Sequence, residues 1–126
     1  MLLLDTCTFI WLASDPPRLS TAAAKAIDRE SEIQLSDASV WEICLKWQSK
    51  KITLSAPPRT WVSEQLQQWR LQSLAIAPEH LFRCTELPDL HKDPFDRLLV
   101  SQALAHNLTL VTPDEAIRQY PVAVIW

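Results

Sequence analysis

Short apolar segments of strand length alternate with helical segments along the chain, and this alternation is the feature that most restricts its fold. Strands are predicted at residues 2–4, 33–35, 74–76, 108–112 and 122–125. Helices are predicted at residues 8–13, from 20 or 21 through 27, and at 38–50, 58–71, 78–85 and 94–106, with a short one after residue 112. Such alternation favours a parallel sheet covered by helices. We therefore expect an α/β fold in one domain over residues 1–126, because no linker or repeat divides the chain.

The composition excludes several classes of protein. Hydrophobic residues make up 48% of the chain and no apolar run is long enough for a signal peptide or a membrane span, so we expect a globular cytoplasmic protein without a membrane partner. The chain contains no glycine, which excludes the phosphate-binding P-loop and the dinucleotide fingerprint. Because its net charge is −3, the chain as a whole is not expected to attract nucleic acid. Three widely spaced cysteines indicate reduced thiols, without a disulfide framework or a zinc knuckle.

The helix predicted from residue 94 begins with two acids that differ in their surroundings. Asp93 precedes Pro94, which suits the first position of a helix, and its side chain is an N-cap candidate. Asp96 instead precedes Leu99, Val100 and Ala103 at spacings of three, four and seven residues, and therefore heads an apolar stripe. A carboxylate directed toward a core requires a donor, a cation or a proton. A capping role for Asp96 remains the alternative.

Three further acids are predicted to lie near the same edge of the sheet. Asp5 ends the first strand, Asp114 follows the 108–112 strand, and Glu42 lies on a helix with apolar residues on two sides. Ligands of open α/β sheets gather at the carboxyl ends of the strands, and clustered carboxylates repel one another unless a cation compensates their charge. Oxygen ligands without a matching His or Cys cluster favour Mg²⁺ or Mn²⁺. The alternatives are pairing of Glu42 with Lys46 and a helix-dipole role for Asp114.

Five segments resemble the PIN-domain ribonucleases, and among them the VapC-type toxins of bacterial toxin–antitoxin pairs. The segments are Leu3-Leu-Asp-Thr, Ser39-Val-Trp-Glu-Ile, His91-Lys-Asp-Pro-Phe-Asp-Arg-Leu-Leu, Leu108-Thr-Leu-Val-Thr-Pro-Asp and Val124-Ile-Trp. The resemblance implies a PIN-like three-layer α/β/α sandwich with a mainly parallel central sheet. This chain departs from the family by having Cys7 where relatives often carry His or Asn. It also lacks the glycine usual near Lys50 and at the position of Asn107.

The resemblance also implies an activity and its residues. The activity is endonucleolytic RNA hydrolysis that depends on Mg²⁺ or Mn²⁺, with water attacking a phosphodiester. The implied catalytic and metal-binding residues are Asp5, Glu42, Asp96 and Asp114. The implied supporting residues are Thr6, Thr112 and Asp93. Candidate contacts with the RNA backbone are Lys46, Lys92 and Arg97. A cognate antitoxin and a second copy of the chain are the implied protein partners, and some of the six tryptophans are expected at such surfaces.

Two other functions remain open at this stage. Leu-Leu-Asp-Thr also resembles the nucleophile segment of haloacid-dehalogenase-like phosphatases, although Cys7 stands where that class usually has a second aspartate. The third possibility is a non-catalytic binding module on the same fold, which would be marked by an incomplete acidic quartet. The sequence does not reveal which RNA would be cut.

Overall fold

The computed structural model describes residues 1–126 and contains a five-stranded, fully parallel sheet. The strands are β1 (Leu2–Leu4), β2 (Ile33–Ser36), β3 (Gln72–Leu74), β4 (Thr109–Val111) and β5 (Val124–Ile125). Their order across the sheet is β3-β2-β1-β4-β5, so β1 is central and the chain crosses over it to reach β4. The C-terminal ends of β1, β2 and β4 are therefore adjacent, and the site described below lies at this edge.

Six α-helices flank the sheet, as the α/β/α prediction requires. They are α1 (Thr6–Ser14), α2 (Thr21–Arg29), α3 (Asp37–Gln48), α4 (Pro58–Gln68), α5 (Pro78–Glu86) and α6 (Pro94–His106). Short 3₁₀ turns occupy Pro16–Arg18 and Ile117–Gln119. None of the helices combines the length and apolar character that crossing a bilayer would require.

The two faces of β1 belong to two separate hydrophobic clusters. Leu2 and Leu4 point into a cluster with Phe9 of α1, whereas Leu3 points into a cluster with Leu99 of α6. Neighbouring side chains of a strand point to opposite faces, and a strand buried on both faces is apolar throughout. The uninterrupted Leu2-Leu3-Leu4 run is thus explained by helices on both sides of the sheet.

Three helices end in the left-handed conformation without glycine. Lys50 (φ 62°), Arg70 (φ 54°) and Asn107 (φ 53°) follow α3, α4 and α6 respectively. After α3, the Lys51 N–H donates to the Lys46 carbonyl at 2.8 Å. After α4, the Leu71 N–H donates to the Leu66 carbonyl at 2.9 Å. These are Schellman endings, in which glycine is the usual residue because it lacks a Cβ.

Four predicted elements have clearly different bounds in the structure. The helix predicted through residue 71 ends at Gln68, because the left-handed Arg70 redirects the chain and allows Leu71 to be buried. The third strand consequently occupies Gln72–Leu74 and not 74–76. The helix predicted after Thr112 is only a 3₁₀ turn, and the last strand begins at Val124 rather than at 122. The predicted cap at Asn107 and the helix from Pro94 to His106 are confirmed.

Candidate metal site

Asp5 is buried at the point where β1 passes into α1. Its side chain is only 3% exposed, and its Oδ1 accepts a hydrogen bond from the Thr8 backbone N–H at 2.8 Å, as an N-cap of α1. The Thr112 hydroxyl at the end of β4 donates to its Oδ2. Burial raises the pKa of Asp5, and these hydrogen bonds oppose that rise. The adjacent ends of β1 and β4 thus fix one carboxylate in a poorly hydrated position.

Asp96 lies in the first turn of α6 and is surrounded by other acids. Asp93 caps the helix by accepting from the backbone N–H groups of Phe95 and Asp96, at 2.8 and 3.1 Å. Burial and the negative charges of Asp93, Asp5 and Asp114 raise the pKa of Asp96 to about 7. The Asp96 carboxylate is therefore costly to ionise here unless positive charge is supplied.

His91 joins Asp96 to Asp114. Its Nε2 lies 2.9 Å from Oδ2 of Asp114 and 3.2 Å from Oδ2 of Asp96. Burial lowers the pKa of His91, but the hydrogen bond and charge of Asp114, with the charge of Asp96, outweigh burial and raise it overall. Burial raises the pKa of Asp114, but His91 and the N–H groups of Ala116 and Ile117 lower it overall. Ligand atoms of His91, Asp96 and Asp114 all lie within 4.8 Å of one another.

Glu42 lies on the neighbouring helix α3 and is 8% exposed. Its Oε2 lies 2.9 Å from Nζ of Lys46, so the pairing considered as an alternative from the sequence is present together with the burial. A groove of about 270 Å³ runs past this pair; besides Glu42 and Lys46, it is lined by Leu45, Ser49, Lys51, Asp93, Pro94 and Phe95. Burial lowers the pKa of Lys46, but the hydrogen bond and charge of Glu42, with the charges of Asp93 and Asp96, outweigh burial and raise it overall. Glu42 is therefore linked to the acidic cluster through Lys46 and the groove.

The remaining predicted site residues fall into two groups. Thr112 contacts Asp5 directly, and the Thr6 hydroxyl donates to Ser39 Oγ of α3 at 3.0 Å, so both lie in the frame of the site. Lys92 is exposed beside His91. Arg97 does not fit its predicted RNA contact, because its guanidinium donates to backbone carbonyl groups at 2.9–3.3 Å and to the Tyr120 hydroxyl at 3.0 Å. The guanidinium of Arg97 is therefore engaged within the fold and is not available for RNA.

Two residues of the site were missed by sequence reasoning. The sequence assigned no role to His91, although it opens one of the segments that carry the family resemblance and lies two residues before Asp93. Tyr120 is almost fully buried, and its hydroxyl receives the backbone N–H groups of Leu90 and His91. It is the only tyrosine of the chain, which was the one available signal. Together with Arg97, it holds the loop that carries His91.

The donor set fits a hard divalent cation better than a soft one. Carboxylate oxygens dominate the cluster, and Cys7, the nearest thiol, has its pKa raised by burial and by Asp5, which disfavours the thiolate that soft metals require. A divalent ion would also supply the positive charge that ionised Asp96 lacks. The arrangement can therefore accommodate a magnesium-like ion on Asp96 and Asp114, close to Asp5.

Comparison with known proteins gives consistent matches over the whole chain. A family model described as "PIN domain" matches residues 2–123. Ribonuclease VapC22 of Mycobacterium tuberculosis is 30% identical over 119 residues, which cover 94% of this chain and 90% of the relative.

Solved structures with the same fold include VapBC2 from Rickettsia felis bound to a DNA fragment from its promoter. The TM-score is 0.73 at 20% identity, with 98% of this chain and 96% of that chain covered. A toxin–antitoxin complex from Klebsiella pneumoniae gives a TM-score of 0.71 at 16% identity and covers 100% of this chain and 97% of that one. At these identities the likeness establishes the fold alone.

Proposed function

The chain belongs to the PIN-domain family, and from this membership we propose that it is a VapC-type endoribonuclease, the toxin of a toxin–antitoxin pair. The observation that supports hydrolysis most strongly is the convergence of Asp96 and Asp114 near the buried Asp5. Helix and strand ends that are distant in sequence hold these acids at one edge of the sheet. The phosphatase alternative is not retained, because the family match is to a different class.

The proposed metal site consists of Asp5, Asp96 and Asp114, with Glu42 at its edge. When bound, Mg²⁺ or Mn²⁺ supplies a lowered pKa for water and compensation of charge on the scissile phosphodiester. Asp5 is preoriented by Thr112 and by the Thr8 N–H, so its position does not depend on an ion. Asp114 is similarly held through Oδ1 by the N–H groups of Ala116 and Ile117. The proposed role of Glu42 is to bind the ion through water or to orient the nucleophile.

The groove beside Glu42 is the proposed path of the RNA backbone. Lys46 and Lys51 line it, and positive charge attracts phosphates without reading the base sequence. Trp41, 59% exposed, packs edge-on against Phe95 of the same groove, with ring centroids 5.7 Å apart. An exposed aromatic ring beside lysines suits unstacked bases, so single-stranded RNA is the proposed substrate.

An antitoxin and a second copy of the chain are the proposed protein partners. Several large apolar side chains are exposed, among them Trp47 at 41%, Leu81 at 48% and Phe82 at 60%. Contiguous exposed apolar surface is common at protein interfaces, and Leu81 and Phe82 are adjacent in α5. Trp11, in contrast, packs against Trp126 and under the Arg18 guanidinium, so much of its surface is covered within the chain.

The decisive experiment incubates purified protein with labelled single-stranded RNA, with Mg²⁺ or Mn²⁺ and with chelator. We expect cleavage only with the ion, and loss of cleavage in Asp5→Asn and Asp96→Asn. Asp28→Asn, which changes an exposed acid of α2, is the matched control and should cleave like the parent. Cleavage in chelator, or full activity of Asp5→Asn, would contradict the proposal. A chain that binds RNA but never cuts it would favour the non-catalytic module.

A further inference from the structure

The hydrogen bonds around His91 define its tautomer. The backbone N–H of Asp93 donates to Nδ1 of His91, with the nitrogens 3.0 Å apart. A backbone N–H can only donate, so Nδ1 is the unprotonated nitrogen and Nε2 carries the ring hydrogen. Nε2 faces the carboxylates of Asp114 and Asp96. In this structure, His91 therefore donates from Nε2 to Asp114 at 2.9 Å, and the same nitrogen lies 3.2 Å from Oδ2 of Asp96.

The loop that presents His91 is fastened on its far side. The His91 backbone N–H donates to the Tyr120 hydroxyl at 3.0 Å, and that hydroxyl donates to the Pro88 carbonyl at 2.9 Å. Arg97 holds the Pro88 carbonyl as well, at 2.9 Å. With the ring fixed through Nδ1 and the backbone fixed through Tyr120, the direction of the Nε2–H group is set by the fold.

Direct ligation by His91 is the competing role, since its Nε2 lies within reach of any ion held by Asp96 and Asp114. To bind an ion, Nε2 must lose its hydrogen, and the neutral ring must then carry it on Nδ1. That hydrogen would point at the Asp93 N–H from a nitrogen only 3.0 Å away. Two facing donors would lose the backbone hydrogen bond, so ligation would require the ring to leave its position.

We infer that His91 is a positioning residue, which donates from Nε2 to Asp114, lies beside Asp96, and so holds these two carboxylates together for one cation. The inference rests on the proposed metal site. Its physical basis is the mutual repulsion of the two acids, which the Nε2–H group beside both carboxylates reduces before an ion arrives. Groups that orient metal ligands in this way commonly affect metal affinity although they never touch the metal.

Three substitutions of His91 test the role of the Nε2 donor separately from that of the rest of the ring. His91→Gln can place an amide N–H near the position of Nε2, His91→Asn reaches only the position of Nδ1, and His91→Ala supplies neither. Mn²⁺ binding is measured by electron paramagnetic resonance without RNA, and RNA cleavage in parallel. We expect His91→Ala and His91→Asn to bind Mn²⁺ about 10- to 100-fold more weakly, and His91→Gln to recover most of the loss. Lys25→Ala, at an exposed cation of α2 outside the groove, should bind like the parent.

The tautomer is read directly in the parent protein by long-range ¹H–¹⁵N correlation of the histidine rings, with and without Mg²⁺. We expect Nδ1 to stay unprotonated and Nε2 protonated in both states. A hydrogen that moves to Nδ1 when Mg²⁺ is added would make His91 a ligand and overturn the inference. Equal Mn²⁺ affinity in the parent and all three variants would also overturn it, while leaving the metal site intact. A parent that binds no Mn²⁺ would contradict the proposed function itself and, with it, the role of His91.

Discussion

Asp96 is the residue of the candidate site whose negative charge costs the folded protein stability. Its pKa is raised from 3.8 to about 7 by burial and by neighbouring acids. The folded state therefore holds the proton of Asp96 more tightly than the unfolded state does. This contribution is fully favourable at low pH, declines as the pH rises from about 4 to about 7, and is absent above that range.

We expect Asp96→Asn to stabilise the chelator-treated protein by about 1–2 kcal/mol at pH 8, and by much less at pH 4. Thermal unfolding at both pH values measures the difference. Mg²⁺ should raise the melting temperature of the parent at pH 8 and have little effect on Asp96→Asn. Asp37→Asn, at an exposed acid in the first turn of α3, serves as the surface control and should not reproduce the stabilisation. An Asp96→Asn protein less stable than the parent at pH 8 in chelator would refute this account of the site.

Because the chain has no glycine, three helices end with another residue in the left-handed conformation. A Cβ in the left-handed conformation costs roughly 1–2 kcal/mol, and Asn bears that cost better than other residues. Asn107 could therefore be predicted as the end of α6. Lys50 and Arg70 could not, because nothing in a lysine or an arginine indicates a positive φ. Their conformation follows from the route of the chain, which after α4 must bring Leu71 into the core.

Lys50→Gly and Arg70→Gly are each expected to raise the free energy of unfolding by about 0.5–1 kcal/mol. Relief of the Cβ clash exceeds the extra backbone entropy that glycine gives the unfolded state. Denaturant unfolding measures the change. Lys51→Gly is the matched control, since Lys51 is exposed but has no positive φ, and it should be neutral or slightly destabilising. Equal effects at Lys50 and Lys51 would show that the left-handed position is not strained.

At the scale of the whole molecule, the sequence was sufficient to predict the layered architecture but not the long-range contacts that the loops make. The strand at residues 2–4 and the caps at Ser20, Ser36 and Asp93 depend on local chemistry, and all were predictable. The contact of His91 with Asp114 spans 23 residues, and that of Thr112 with Asp5 spans 107. Such contacts follow from strand order, and β1 lies beside β4 only after the chain has crossed the sheet. Local sequence patterns therefore do not predict contacts that depend on that crossing.

Charge is the other property of the whole molecule that bears on function. With a net charge of −3, the chain as a whole should repel RNA, so binding depends on local cations. Lys51 in the groove and Lys92 beside His91 are exposed, whereas Lys46 is paired with Glu42 and Arg97 is held by backbone carbonyls. Lys51 and Lys92 are thus the cations most available to phosphates.

We expect Lys51→Ala and Lys92→Ala each to weaken the binding of single-stranded RNA and to reduce the slope of log K against log salt by about 0.7, the value for one phosphate contact. Fluorescence anisotropy with the inactive Asp5→Asn background measures binding without cleavage. Lys25→Ala, an exposed cation on α2, should leave the slope unchanged because α2 contributes nothing to the groove. Lys46 is kept intact because its removal would leave Glu42 unpaired and confuse metal binding with RNA binding. If Lys25→Ala lowered the slope as much as Lys51→Ala, the RNA would follow another surface and the groove assignment would be wrong.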